Sequence, residues 1–245
     1  MSGDPMAAFF RLHSGLPREA PGGAAETLCA LALAAPPAKA RIADMGCGPG
    51  ASAAVLLAAL PGAHVTGIDL HAPFVAEAAR RAAALGAADR FAGRVADMAA
   101  PPVAPGTLDL IWSEGAVYNL GVARALAAWR PLLAPGGKVA FSDAVWLTAA
   151  PPARARAFWA AECPAMTDLP GLRDAVTGAG FRVLGDFVLP EACWDAYYGP
   201  LAARCDALAA DPAMAEAIAE TRAEIAVWTE CRGAYGYAFV VAEPA

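Results

Sequence analysis

The stretch that decides the fold is Ala43–Gly50, ADMGCGPG, in which a carboxylate at Asp44 precedes three glycines at every second position. A short β-like run over Ala40–Met45 leads into this stretch, and sequence of helical character over Ser52–Leu60 follows it. Glycines are poorly suited to a helix interior and contribute little to a plain strand. The pattern therefore predicts a strand-to-helix turn whose backbone must come close to something.

The glycines have a specific use at such a turn. Gly46 can adopt the tight turn, and Gly48 and Gly50 let a ligand or the following helix approach without a Cβ in the way. The helix then directs its unpaired N–H groups at whatever lies there. Asp69 ends the second predicted strand, 23 residues after Gly46, where a carboxylate can bind both hydroxyls of a ribose. A plain turn and a solvated acid would explain either feature alone, but together they predict a nucleotide-like ligand.

Strand-length apolar segments alternate with alanine-rich helical patterns through residues 40–145. This alternation is typical of an α/β fold, a Rossmann-like, mostly parallel sheet with helices on both faces. The five strands predicted in this part are Ala40–Met45, His64–Leu70, Phe91–Ala96, Leu108–Ser113 and Lys138–Asp143.

The pattern changes after Pro151–Pro152, where helical sequence surrounds two further predicted strands, Phe181–Leu189 and Tyr235–Val241. Their connection is too long for an ordinary loop, so we expect an added helical layer with a break near Asp211–Pro212. The expected organisation is one domain over residues 1–245, with an N-terminal lid or helical segment (1–39), a cofactor-binding core (40–145), and a second part (146–245) that carries a helical insertion (191–232).

Two cofactor classes use this geometry. The nicotinamide fingerprint G-x-G-x-x-G/A is satisfied formally from Gly46 to Ala51. However, the spacing Asp44-x-Gly46-x-Gly48-x-Gly50 resembles motif I of class I S-adenosylmethionine (SAM)-dependent methyltransferases, in which the acid helps to hold the methionine end of SAM. A cationic amino group favours a carboxylate nearby, whereas a pyrophosphate would be repelled by one.

The resemblance to class I methyltransferases continues over nearly all of residues 40–145. In VADMAAP, Asp97 follows strand three and matches the acid that reads the adenine amino group, with Met98 beside the ring. LDLIWSEGAVYNLG resembles motif IV, and WRPLLAPGGKVAFSD resembles the turn before strand five. The resemblance implies seven strands in the order 3-2-1-4-5-7-6 with strand seven antiparallel. The cofactor-binding residues expected on this basis are Asp44, Gly46, Cys47, Gly48, Gly50, Asp69, Leu70, Asp97, Met98 and Ser113.

A narrower group is also similar to this sequence. The stretches LHSGLPREAPGG, WSEGAVYNLG, FSDAVWLT and WDAYYGPLAAR resemble bacterial small-molecule methyltransferases related to the ubiquinone/menaquinone-biosynthesis C-methyltransferases. This similarity indicates which proteins are related to the chain, but it does not indicate which substrate the chain methylates. Methyl transfer needs no fixed catalytic triad, because the sulfonium already activates the methyl group and the enzyme mainly aligns the acceptor.

Candidates for the acceptor side lie in the N-terminal segment and after strands four and five. Glu114 is expected to contact the acceptor or to orient SAM, with a capping carboxylate as the alternative. Tyr118 can hydrogen-bond an acceptor, and His13 is a candidate general base beside a segment with too many breakers for a regular helix. Four large aromatic residues can either pack in the core or line a hydrophobic acceptor pocket, and both interpretations have equal weight: Trp146, Trp194, Tyr197 and Tyr198. A flat or lipophilic small-molecule acceptor is therefore expected.

Charge and composition indicate which partners, cellular location and metal sites are to be expected. The 245 residues carry a net charge of −6 and no basic run, so nucleic acid and anionic membranes are not expected partners. Neither a signal peptide nor a transmembrane segment is recognisable, and six scattered cysteines without a C-x-x-C pair are typical of a reducing cytoplasm. The three histidines show no metal-ligand spacing. A homodimer is compatible with the sequence if the late helices expose an apolar face.

Two other functions stay open at this point. An NAD(P)-dependent oxidoreductase would need a Tyr-x-x-x-Lys pair or a similar constellation, and the only lysines are Lys39 and Lys138. A non-catalytic SAM-binding regulatory protein is not excluded by any residue of the sequence.

Overall fold

The computed structural model describes residues 5–245; residues 1–4 of the expected N-terminal segment lie outside it. Eight strands in the described residues form one sheet. The strands are β1 Arg41–Met45, β2 His64–Asp69, β3 Phe91–Val95, β4 Leu108–Glu114, β5 Leu133–Trp146, β6 Thr167–Asp168, β7 Phe181–Val188 and β8 Tyr235–Pro244.

The sheet has the order β3-β2-β1-β4-β5-β8-β7, with β8 antiparallel to both of its neighbours. The other main-sheet pairs are parallel. This is the predicted topology with one strand more, because the two-residue β6 pairs with the end of β5 and shifts the later numbers. The predicted fold class is therefore confirmed, and the predicted count of seven strands is one too low.

Helices cover both faces of the sheet and one end of it. The helices are α1 Pro5–His13, α2 Ala24–Ala34, α3 Ala51–Ala59, α4 Ala72–Ala84, α5 Val122–Trp129, α6 Ala153–Glu162, α7 Leu169–Gly178, α8 Ala192–Leu208 and α9 Ala215–Glu230. The pairs α2–α3 and α3–α4 are in contact, as are α5 and α7. Helix α1 contacts both α8 and α9, and α6 contacts α9, so these four helices form a separate layer.

Alternation along the strands divides the core in two. In β1, Ile42 belongs to the apolar cluster on one side of the sheet and Ala43 to the cluster on the other, since successive strand residues point to opposite faces. Trp112 and Phe239 pack together in the first cluster, with ring centroids 5.2 Å apart. Both faces of the sheet are thus buried, as expected for parallel strands covered by helices.

Proline residues interrupt the helical sequence at two places. Helix α5 ends at Trp129, because Pro131 cannot continue an α-helix and the chain makes a 3₁₀ turn there. The predicted insertion 191–232 contains α8 and α9, separated by a 3₁₀ turn over Pro212–Met214. Asp211 begins that turn by accepting a hydrogen bond from the Ala213 N–H (3.0 Å).

Candidate active site

The glycine turn joins β1 to α3. Gly46, Gly48 and Gly50 all have positive φ, at 69°, 51° and 86°, which L-residues with a side chain rarely adopt. A Cβ on Gly46 would lie 2.4 Å from the Ala116 Cβ, and one on Gly50 would lie 2.7 Å from the Ala78 Cβ. The sequence left open whether a ligand or a helix approaches these glycines. At Gly50 the close neighbour is helix α4, and Gly48 faces the cavity described below.

Asp44 lies beneath this turn and is fully buried. Its Oδ2 accepts a hydrogen bond from the Ser52 hydroxyl (2.7 Å), while its Oδ1 has no hydrogen-bond partner among residues 5–245. Burial, together with the nearby carboxylates Glu114 and Asp69, raises the pKa of the Asp44 carboxyl to about 7, although the hydrogen bond from Ser52 opposes this shift. The site therefore holds a buried acid with no cationic partner and with one oxygen that forms no hydrogen bond among residues 5–245.

Asp69 lies at the end of β2, where it holds the glycine turn in place. Its Oδ2 accepts a hydrogen bond from the Gly48 N–H (2.9 Å) and its Oδ1 accepts one from the His71 N–H (2.8 Å). Each carboxylate oxygen can accept a second hydrogen bond, so these contacts leave Asp69 able to bind hydroxyl groups. The neighbouring Leu70 is largely exposed.

Asp97 and Met98 follow β3 at the same edge of the sheet. The Asp97 Oδ1 accepts a hydrogen bond from the Ala99 N–H (2.8 Å), and the Met98 carbonyl accepts one from the Trp129 indole (2.8 Å). Both contacts fix the loop and leave the Met98 thioether at the cavity wall.

A cavity of about 720 Å³ connects these residues with the helical layer. We call the part formed by the sheet edge its strand end, and the part formed by α1, residues 14–23, α6, α8 and α9 its helical end. The predicted site residues that line the cavity are His13, Gly46, Cys47, Gly48, Asp69, Leu70, Asp97, Met98, Glu114 and Tyr118. Asp44, Gly50 and Ser113 do not line it, and the buried Ser113 hydroxyl instead donates to the Met45 carbonyl (2.8 Å), tying β4 to β1.

Glu114 anchors the N-terminal segment to the sheet. Its Oε2 accepts a hydrogen bond from the Arg18 guanidinium (2.9 Å), and its Oε1 accepts from the Thr27 hydroxyl (2.7 Å) and the Trp112 indole (2.9 Å). The side chains of Arg18 and Glu114 are only 12% and 7% exposed. With these donors already bound, Glu114 acts first as a structural carboxylate.

His13 forms a pair with Glu19 at the helical end. The ring Nδ1 lies 2.6 Å from the Glu19 Oε2, and Phe9 stacks on the imidazole with ring centroids 4.1 Å apart. Burial raises the pKa of the Glu19 carboxyl, and the hydrogen bond and charge of His13 oppose that shift. A carboxylate that orients one ring nitrogen leaves the other, Nε2, available for proton transfer.

Residues 42–137 match the family described as "Methyltransferase domain". This part of the chain, from β1 into β5, is similar to methyltransferase domains. The match supports the family predicted from the glycine turn and the acids after β2 and β3, in preference to the oxidoreductase alternative.

One relative of known activity is similar to part of the chain. The chain is 41% identical over 118 residues to the release factor glutamine methyltransferase of Cereibacter sphaeroides, a match that covers 46% of this chain and 41% of that protein. The chain thus matches about two fifths of that relative's length.

Two solved structures extend the similarity beyond the methyltransferase domain itself. A SAM-dependent methyltransferase from Geobacter sulfurreducens, in complex with S-adenosyl-L-homocysteine, superposes with a TM-score of 0.86 at 23% identity over 100% of both chains. YjhP from E. coli has a TM-score of 0.84 at 25% identity, covering 97% of this chain and 99% of that one. These structures confirm the fold. The narrower similarity to ubiquinone/menaquinone-biosynthesis enzymes stays a prediction.

The residues at and beneath the strand end of the cavity fit SAM. The unpaired Asp44 oxygen beneath the turn suits the cationic amino group of the methionine end, because a buried carboxylate is costly without a partner. Asp69, Asp97 and Met98 line the same strand end in positions suited to the ribose and adenine. In residues 5–245 no group of His, Cys, Asp and Glu side chains could hold a metal ion, and no helix is both long and apolar enough to cross a membrane.

Sequence reasoning missed most polar residues of the helical end. The Tyr198 hydroxyl donates to the Glu224 Oε1 (2.8 Å), and both residues line the cavity together with Trp159 and Glu162. Trp194, Tyr197 and Tyr198 are placed at the cavity, whereas Trp146 lies outside it and packs edge-on against Tyr235. No local motif marks Glu162 or Glu224, since the packing of α9 against α1 and of α6 against α9 brings them to the site.

Proposed function

We propose that this chain transfers a methyl group from SAM to a small-molecule acceptor bound at the helical end of the cavity. The observation that carries the proposal is the continuity of one cavity, from the acids at the strand end to the aromatic and acidic residues of the helical layer. A volume of about 720 Å³ has room for a cofactor and a small acceptor together. Bound SAM would supply a methyl group already activated on a sulfonium.

The strand end is assigned to cofactor binding. Asp44, Ser52 and the glycine turn hold the methionine end, Asp69 accepts hydrogen bonds from the ribose hydroxyls, and Asp97 with Met98 binds the adenine. None of these groups takes part in bond making. Their task is to fix the reactive carbon in one position, which lowers the entropic part of the barrier.

Residues 14–23 and α1 are assigned to closing the site. Arg81 donates to the carbonyls of Leu16 (2.8 Å) and Pro17 (2.5 Å), and Arg18 donates to Glu114, so the segment is fastened to both α4 and β4. A closed site excludes water, which would otherwise solvate the acceptor. Tyr118 lines the cavity next to Ala116 and can position the acceptor by a hydrogen bond.

The His13–Glu19 pair is assigned to proton removal when the acceptor arrives protonated. Glu19 orients the imidazole through Nδ1, and Nε2 takes the proton. A protein substrate is the competing acceptor class, as for the glutamine methyltransferase of Cereibacter sphaeroides. On the basis of the sequence, the proposal also includes a cytoplasmic location and assembly as a homodimer.

Thermal stabilisation tests the cofactor, and turnover tests the reaction. S-adenosylhomocysteine should raise the melting temperature while NADH and NADPH should not, because only a ligand of the folded state stabilises it. Methyl transfer from radiolabelled SAM should then appear with at least one member of a metabolite panel. Stabilisation by NADH would refute the cofactor assignment, and binding of SAM without any turnover would favour a regulatory protein.

A further inference from the structure

The helical end of the cavity is rich in carboxylates. Among residues 5–245, the cavity is lined by six acidic side chains, Glu19, Asp69, Asp97, Glu114, Glu162 and Glu224, against two arginines, Arg18 and Arg124, and one histidine, His13. Asp69 and Asp97 belong to the strand end, and Glu114 is neutralised by Arg18. The acids that remain at the helical end are Glu19, Glu162 and Glu224. An anionic acceptor, such as a carboxylate or a diphosphate, would be repelled there.

Two of these acids have an oxygen to offer a ligand. The Glu19 Oε1 is buried and has no hydrogen-bond partner among residues 5–245. The Glu224 Oε1 accepts from Tyr198 (2.8 Å), and Glu224 lines the cavity with a carboxylate that can accept further hydrogen bonds. Buried acceptors of hydrogen bonds are rarely left unpaired in native proteins. The unpaired Glu19 oxygen therefore indicates a donor that comes with the ligand, and the Glu224 carboxylate lines the same cavity.

Aromatic rings surround the same acids. Trp159, Trp194, Tyr197 and Tyr198 line the helical end, and Trp194 stacks on Trp228 with ring centroids 4.3 Å apart, which fixes its orientation. Carboxylates beside Trp and Tyr faces are the combination that binds organic cations, because the ring faces carry negative charge. The same rings pack well against an apolar or aromatic body.

We propose that the methyl acceptor is an amine carried on an apolar or aromatic body, bound as its ammonium ion between Glu224 and Glu19 and against the rings of Trp194 and Tyr197. This inference rests on the proposed function and specifies its acceptor. The ammonium gives one proton to Nε2 of His13. The amine nitrogen then forms a bond to the methyl carbon as the carbon–sulfur bond breaks, and sulfur keeps that electron pair. The product is the methylated ammonium with neutral S-adenosylhomocysteine.

Matched pairs of ligands test the charge requirement by binding alone. The probes are benzylamine with benzyl alcohol, 2-phenylethylamine with 2-phenylethanol, and tryptamine with tryptophol, with phenylacetate as the anionic probe. Each is titrated into the protein saturated with S-adenosylhomocysteine, and tryptophan fluorescence and melting temperature are followed. We expect at least one amine to bind about tenfold or more tightly than its alcohol, since hydrogen bonds to charged groups are the stronger ones.

Two glutamine variants on one helix identify the residue responsible. Glu224→Gln should weaken the preferred amine about tenfold and leave its alcohol partner unchanged, while Glu220→Gln, at an exposed position one turn earlier in α9, should change neither. The proposal is overturned if no amine exceeds its alcohol, if phenylacetate binds best, or if Glu224→Gln leaves the amine preference intact. If the unmodified protein does not bind S-adenosylhomocysteine at all, the proposed function itself is refuted instead.

Discussion

Asp44 is the residue whose chemistry bears most directly on the cofactor. Its carboxyl is fully buried with a pKa raised to about 7, so below that pH the neutral form prevails in the empty protein. A cationic amino group beside it would favour the ionised form, and binding must then release a proton. We expect affinity for S-adenosylhomocysteine to fall as the pH is lowered from 7.5 to 5.5.

Isothermal titration calorimetry at two pH values measures the number of protons that are released when S-adenosylhomocysteine binds. At pH 6, the binding heat should vary with the ionisation enthalpy of the buffer, and at pH 8 it should vary much less. The Asp44→Asn variant should bind more weakly, by about tenfold at pH 8, and should lose the release of the proton. A variant that still releases the proton at pH 6 would show that another group is responsible.

Gly50 is required by its backbone and by helix α4. Its φ is 86°, and a Cβ would lie 2.7 Å from the Ala78 Cβ and 2.8 Å from the Ala78 Cα. Gly50→Ala should lower the free energy of unfolding by about 2–4 kcal/mol, from the left-handed conformation together with overpacking.

Gly178→Ala is the matched control for Gly50→Ala, measured by urea denaturation. Gly178 is the last residue of α7, and a Cβ there meets nothing within 4 Å. The control should be neutral or stabilising by about 0.5 kcal/mol. Equal effects of the two substitutions would mean that the contact with α4 is unimportant.

The segment between α1 and α2 is held by a buried ion pair in addition to the hydrogen bonds from Arg81. The side chains of Arg18 and Glu114 are 12% and 7% exposed, whereas those of Arg11 and Asp211 are 51% and 34% exposed. Arg18→Met should destabilise the protein by about 3 kcal/mol, because it leaves a buried carboxylate without its cation. Arg11→Met removes an exposed pair and should destabilise the protein far less.

Limited proteolysis separates loosening of this segment from general loss of stability. In the Arg18→Met variant, cleavage within residues 14–23 should become faster while the sheet stays protected, and S-adenosylhomocysteine should bind more weakly. Unchanged cleavage rates would argue against the assignment of these residues to closing the site.

The elements also show what could be predicted from the sequence. Parallel strands, the glycine turn and the helix stops depend on neighbours in the chain, and these predictions are confirmed in order and type. The strand β6 escaped notice because two residues carry no periodicity. Glu19, Glu162 and Glu224 escaped because their shared position arises from the packing of α9 against α1 and of α6 against α9, which no local spacing encodes.

At the scale of the whole molecule, cofactor and acceptor are assigned to different layers. If this division holds, Tyr198→Phe should raise the KM for the acceptor several-fold, because Glu224 loses its hydrogen-bond donor, and should leave the Kd for S-adenosylhomocysteine within about twofold. Asp69→Asn should have the opposite effect and raise that Kd about tenfold. Kinetics and calorimetry on both variants check the division, and a Tyr198→Phe variant impaired in cofactor binding would contradict it.

The position of β8 has a consequence for how the chain reaches its folded state. Within the part of the chain that the structure describes, strand β7 joins the sheet only through β8, and β8 follows the whole of α8 and α9. During synthesis β7 therefore waits without a partner, its backbone hydrogen-bonding groups open to association with other chains. Pairing over such long sequence separations is slow. Completion of the sheet by β8 should thus be the late, rate-limiting event of folding, and a strong dependence on chaperones would follow from it.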